Sequence, residues 1–265
     1  MKSGRLLCCA LLFLIACQSE PSTDAQSSLV RVPETKPTLA DSIVNQAIIQ
    51  HGGALYDNSL IRFTFRERQY KARRQGSSFE YERIFTDSSG RQIRDVLNNG
   101  GLYREINGQR ASLSAKDSSA YANSVNSVLY FVLLPAPLND RAVIREYLGE
   151  TMLKGRPYHK IRVTFRQEGG GKDFEDEYIY WIHRDDRTMD YLAYNYQTDG
   201  GGARFREAYN VREINGIRFA DYINYKPKDP ANLQVATFDQ LFANGELEEL
   251  SRIDSENVEV IVLNN

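Results

Sequence analysis

Apolar and polar positions alternate with a period of two through most of this chain, and that rhythm predicts strands from about residue 60 to the end. Ile61-Arg62-Phe63-Thr64-Phe65-Arg66 and Phe79-Glu80-Tyr81-Glu82-Arg83-Ile84-Phe85 alternate cleanly, and Ser88-Ser89-Gly90 turns the chain into a strand over 92–97. Residues 102–113 read as two strands joined at Asn107-Gly108, because Asn-Gly supplies both positive-φ positions of a type I′ turn. After Gly149, strands are expected over 150–154, 158–167, 174–183, 189–197, 203–214, 217–226, 233–250 with a break at Asn244-Gly245, and 258–263. Asn215-Gly216 forms a second I′ hairpin. About a dozen strands joined by short turns form an antiparallel meander, and a sheet of that size must curl or close.

Two stretches break the rhythm. Over residues 39–51, Ile43, Ala47 and Ile48 share one face of a helix that Asp41 or Ser42 can cap and Gly52-Gly53 stops. Residues 117–134 read as a buried helix ending at Pro135, carrying Tyr121, Val125, Val128, Leu129, Phe131 and Val132. Residues 139–147 read as a second one, capped by Asn139 or Asp140. The fold class expected is mainly β (α+β): a curved, antiparallel, half-open barrel with an N-terminal helix and inserted helices on its concave face.

The first 16 residues have another character. Lys2 and Arg5 precede an apolar run too short to span a bilayer, and Leu14-Ile15-Ala16-Cys17 is a lipobox. Residues 1–16 are thus expected to be a lipoprotein signal peptide, 17–38 a lipidated Pro- and Ser-rich tether, and 39–265 a single β domain. Cys17 becomes the lipid-bearing N-terminus, held by acyl chains whose methylenes each contribute about 0.8 kcal/mol. Ser19 after Gln18 is not the Asp that retains lipoproteins in the inner membrane, which favours the outer membrane.

Composition agrees with this picture. Cys8, Cys9 and Cys17 are the chain's three cysteines, so the folded domain has neither disulfide nor thiol chemistry. Loss of Lys2 and Arg5 with the leader takes the net charge from −2 to −4, which gives no footing for nucleic acid.

The order of one helix, a run of hairpins, inserted helices and a longer run of hairpins resembles the LolA/LolB-like group of outer-membrane lipoprotein carriers and receptors. Tyr158-His159-Lys160-Ile161-Arg162-Val163-Thr164-Phe165, Tyr178-Ile179-Tyr180-Trp181-Ile182-His183 and Asp190-Tyr191-Leu192 look like its central hairpins. Asn123-Ser124-Val125-Asn126-Ser127-Val128 and Gly200-Gly201-Gly202-Ala203-Arg204-Phe205-Arg206 resemble stretches of uncharacterised Bacteroidetes lipoproteins. The resemblance implies a half-barrel holding acyl chains against a helical plug. Cys17 apart, it carries no functional residue over.

Candidate chemistry is sparse. His51, His159 and His183 lack metal-ligand spacing; His51 can face a helix C-terminus as a cation. Asp173, Glu175, Asp176 and Glu177 beside Gly169-Gly170-Gly171 lack calcium-loop order, and no Gly-x-Ser-x-Gly elbow is present. Arg204 and Arg206 share a strand face and can pair with Asp221 across strands, or meet a ligand head group. The candidate ligand-lining residues, taken from same-face alternation, are Phe63, Phe65, Tyr81, Tyr178, Tyr180, Tyr194 and Tyr196, with Arg204 and Arg206 as polar contacts. The function expected is non-catalytic: a membrane-anchored envelope protein, without cofactor, holding a lipid or lipoprotein. The alternatives are an envelope scaffold or sensor binding protein partners, or an enzyme acting on lipid or glycan.

Overall fold

The computed structural model describes residues 36–166, 176–197 and 200–263. The leader, Cys17, nearly all of the tether, Gly169 to Gly171, Asp173, Glu175 and the start of the 174–183 strand lie outside them. Among the described residues, all helices and strands belong to the unit Pro37–Asn265.

Helix α1 (Leu39–His51) forms where expected, but its cap is Thr38. The Thr38 hydroxyl accepts the Asp41 N–H while the Asp41 carboxylate accepts the Thr38 N–H, a reciprocal box that places Asp41 inside the first turn. Gly52 ends the helix at φ 146°, a conformation that side chains resist. Ala40, Ile43, Val44 and Ala47 are buried.

Six strands follow: β1 (Asn58–Phe65), β2 (Arg68–Gln75), β3 (Ser78–Thr86), β4 (Gln92–Asn98), β5 (Gly101–Ile106) and the short β6 (Gln109–Arg110). Asn107 and Gly108 adopt φ 51° and 79°, as the I′ turn requires. β2 adds a strand to the expected set. Helix α2 (Ala115–Val132), capped by Ser114, carries the chain away from β6.

The second expected helix, 139–147, is instead a 3₁₀ turn running into β7 (Val143–Leu153). Val143 and Ile144 are β-branched and stiff, and the segment pairs with β8 from Val143 opposite Phe165. β8 (Arg156–Phe165), β9 (Tyr178–His183), β10 (Met189–Tyr196), β11 (Gly202–Ile214) and β12 (Ile217–Pro227) then run antiparallel. The expected strand over 233–250 is half wrong. Residues 235–243 form a 3₁₀ turn and helix α3 (Phe238–Ala243), and only β13 (Leu247–Ile253) is extended. The last strand is β14 (Glu256–Val262).

The strand order is β14-β1-β2-β3-β4-β5-β6 in one sheet and β13-β12-β11-β10-β9-β8-β7 in the other. β13 and β14 are consecutive, joined through Asp254 and Ser255, so the two sheets form one wall that turns a corner there. The wall does not close. Among the described residues β6 and β7 are its free edges, and α2 carries the chain from one to the other. The result is a curved half-open barrel with helices on its concave face.

Both faces of the second sheet are buried over its middle strands. On the concave face α1 and the end of α2 pack on Ile161, Val163, Tyr178, Tyr180, Ile182 and Leu192. On the convex face Val235 and Phe238 cover Trp181, Tyr191 and Phe205. β9 is accordingly buried at all six positions.

His51 is buried rather than cationic at the helix end. Its Nε2 accepts the Met189 N–H at 3.0 Å, and burial, with the Arg218 guanidinium nearby, depresses its pKa to about 3. The unfolded chain takes up this proton near pH 6.5, the folded chain only near pH 3. His51 therefore lowers stability as pH falls through 6.5, with a limiting slope of about 1.4 kcal/mol per pH unit. Urea midpoints should drop between pH 7 and 5, and His51→Gln should flatten that drop; parallel pH profiles would contradict the assignment.

Candidate ligand cavity

Period-two alternation, carried across registered strands, decides which side chains share the concave face. Tyr180, Leu192, Arg206, Asn224 and Ser251 stand opposite one another from β9 to β13. The row passes from aromatic to aliphatic to cationic to amide to hydroxyl. Beside it, Tyr178, Tyr194 and Arg204 form a second row. Polarity thus rises toward the corner where the two sheets meet.

At that corner lies an open cavity of about 590 Å³, inside the roughly 300–1,000 Å³ typical of small-molecule sites. Helix α2 contributes Ser127, Val128, Phe131 and Val132, and the end of β1 contributes Phe65 and Arg66. The concave face adds Tyr194, Arg204, Arg206 and Asn224, and the corner adds Leu250, Ser251, Ile253 and Ser255. A smaller recess of about 250 Å³ continues past Phe65 and Ser127 toward Tyr70 and Ser124.

The structure brings Phe65, Tyr194, Arg204 and Arg206 of the expected set together in this cavity. Tyr196 sits just outside it, with the Arg204 guanidinium 5.1 Å from its ring centre. Phe63 is packed against Tyr70 at 5.2 Å, and Tyr178 and Tyr180 lie in the concave core. Tyr81 lines a separate cavity near Tyr130 and Phe165. Alternation identified the face for these residues but not how far the helices cover it. Asn224 and Ser251 went unrecognised, although they continue the row through Arg206.

The expected pairing of Asp221 with Arg204 or Arg206 does not form. A register shift between Tyr209 and Arg212 brings Arg212 to Asp221 at 3.1 Å, and the Asn210 side chain and Ser255 N–H complete the carboxylate's partners. Arg206 instead donates to the Tyr194 hydroxyl at 2.9 Å and lies 3.9 Å from the Phe131 ring centre. Nearby phenols stay neutral: burial, then the adjoining Tyr130, holds Tyr180 well above the usual range. The Tyr130 and Tyr180 hydroxyls are 2.9 Å apart. This tie fastens α2 to the second sheet.

The histidines do not build a metal centre. His183 Nδ1 accepts the Asp186 N–H, and His159 lies 3.4 Å from Glu150. Among the described residues no three His, Cys, Asp or Glu side chains converge on a metal position. Glu177 is paired with Arg162 at 2.8 Å.

Residues 6–255 match the model of a family of unknown function, DUF6503. The chain belongs to this family. No curated protein matches the DUF6503 chain in sequence. Among solved structures it is similar to a LolA superfamily protein from Nitrosomonas europaea, at 14% identity and TM-score 0.47, over 85% of this chain and 94% of that one. A domain named for outer membrane lipoprotein sorting from Vibrio parahaemolyticus is 7% identical with TM-score 0.44, over 83% and 91%. A DUF1329 family protein from Desulfovibrio piger is 12% identical with TM-score 0.38, over 85% and 93%. Among the described residues of the DUF6503 chain, no helix is long and apolar enough to cross a membrane.

Proposed function

We propose that this protein is a non-catalytic binding protein of the bacterial cell envelope, anchored through Cys17, that holds acyl chains of a lipid or lipoprotein in the corner cavity. The observation that carries the reading is the cavity itself. It lies between α2 and both sheets, with Phe65, Val128, Phe131, Val132, Leu250 and Ile253 supplying apolar surface. Each methylene moved from water to such surface contributes about 0.8 kcal/mol, so about ten of them supply on the order of 8 kcal/mol before ordering costs. The lipobox supports the anchor, and the half-open wall with helices on its concave face agrees with the architecture implied by the sequence resemblance. Entry of a ligand displaces contacts between α2 and the wall, and handover follows relative affinity for the next acceptor.

Ser127 is an exposed residue of α2 on the cavity rim. Ser127→Trp should fill the cavity and weaken binding of a fluorescent fatty acid by about tenfold or more, or ~1.4 kcal/mol, with melting unchanged. Binding at wild-type strength would contradict the assignment. Cys17→Ser should abolish acyl labelling and move the protein from the membrane to the soluble fraction; retention in the membrane would contradict the anchor.

A further inference from the structure

We infer that the corner cavity selects amphiphiles with an anionic head group, a carboxylate or a phosphate, seated on Arg206 and Arg204. This rests on the acyl-binding reading above and adds the chemistry of the head group.

The charge around the cavity is one-sided. Arg66, Arg204 and Arg206 line it, and none of the described residues lining it is acidic. Among the described residues, none of these three arginines is paired with a carboxylate. Four other arginines of the interior are. Arg83 and Arg104 share Asp95, each at 2.6 Å, Arg212 holds Asp221 at 3.1 Å, and Arg218 holds Asp190 at 2.8 Å.

Arg206 is the exception that calls for a ligand. It is 8% exposed, and its Nε is buried with no hydrogen-bond partner. Its contacts are one phenol and two ring faces, those of Phe131 and Tyr194. Burying a guanidinium without a counter-charge is strongly unfavourable, and a buried donor left unpaired adds to that. An anion in the cavity removes both penalties, since a carboxylate or phosphate can accept two N–H bonds from a guanidinium fork. Arg204, half-buried one pleat away, spends one N–H on the neighbouring Ala203 carbonyl and faces Tyr196. With Ser251 and Ser255, Asn224 gives the head-group end a polar floor. Phe65, Val128 and Val132 form the apolar remainder, where the chain lies.

The test is competition against a bound fluorescent acyl probe on the full chain, with three ligands of one acyl chain length. Oleate carries a carboxylate, oleoyl lysophosphatidylglycerol a phosphate, and monooleoylglycerol no charge. Wild type should bind at least one anion about tenfold or more tighter than the neutral ligand; the anion preferred identifies the source, free fatty acid or phospholipid. Arg206→Met should bring that ratio to about one, and Arg206→Lys should recover part of it. Equal affinity of wild type for all three would overturn the inference and leave the acyl cavity standing. No binding of any of the three would overturn the acyl cavity, and this inference with it.

Discussion

Asp95→Ala should cost about 3–5 kcal/mol, the range for removing one partner of a buried ion pair. The Asp95 side chain is fully buried and accepts from both Arg83 and Arg104. These two arginines also hold α2 in place: Arg83 Nη1 donates to the Ser124 hydroxyl, and the Arg104 guanidinium lies 3.5 Å from the Tyr121 ring centre. Loss of the carboxylate leaves two cations under the helix with nothing to balance them. For a domain of this size each kcal/mol moves Tm by about 2–4 °C, so melting should fall by roughly 6–20 °C. Asp95→Leu combined with Arg83→Met and Arg104→Met should recover much of the loss, because an apolar replacement removes the stranded charges. Calorimetry of the single and triple variants decides this, and an Asp95→Ala loss below about 1 kcal/mol would show that α2 is not seated through this cluster.

Phe238→Ala is the second large effect, again about 3–5 kcal/mol. Phe238 is fully buried against the convex face of the second sheet. Its neighbour Asp239 meets Lys160 at 2.7 Å, and Lys160 also donates to the Ala236 carbonyl at 3.0 Å, pinning the segment across Trp181. Truncation opens a cavity between cover and sheet that the rigid strands cannot collapse into. Hydrogen exchange should rise first in β9 and β10, the strands beneath the cover. A loss under about 1 kcal/mol would mean that the convex face is stable without it.

That cover shows where the sequence misleads. Val235, Phe238, Leu241 and Phe242 have helical spacing, but a dozen surrounding segments with period two make an extended reading of 233–250 natural. In Arg68-Gln69-Tyr70-Lys71-Ala72-Arg73-Arg74-Gln75 only Tyr70 and Ala72 are buried, so the β2 alternation is hidden among charges. Its turn is equally silent, since Arg66 and Glu67 take φ 47° and 62° without the Asn or Gly that usually marks such positions. Val143 to Tyr147 looks helical because Asn139 and Asp140 imitate a cap. The Asn-Gly hairpins, α1, α2 and the alternating faces were legible, because each is written in local spacing. The pairing of β14 with β1 was not, as strand partners two hundred residues apart leave no local trace.

The cavity follows the same division. Phe65, Tyr194, Arg204 and Arg206 were legible as residues of one face. The packing of Phe63, Tyr178 and Tyr180 depends on where the helices and neighbouring strands lie, and no periodicity states that. The unpaired state of Arg206 depends on a one-residue shift that gives Asp221 to Arg212.

The most direct test of the account is a crystal structure of the full chain with an ω-brominated fatty acid, read by bromine anomalous scattering. The account predicts a peak beside Phe65 and Val128, with the carboxylate on Arg206. A well-occupied ligand elsewhere, or an empty corner cavity at saturating ligand, would contradict it.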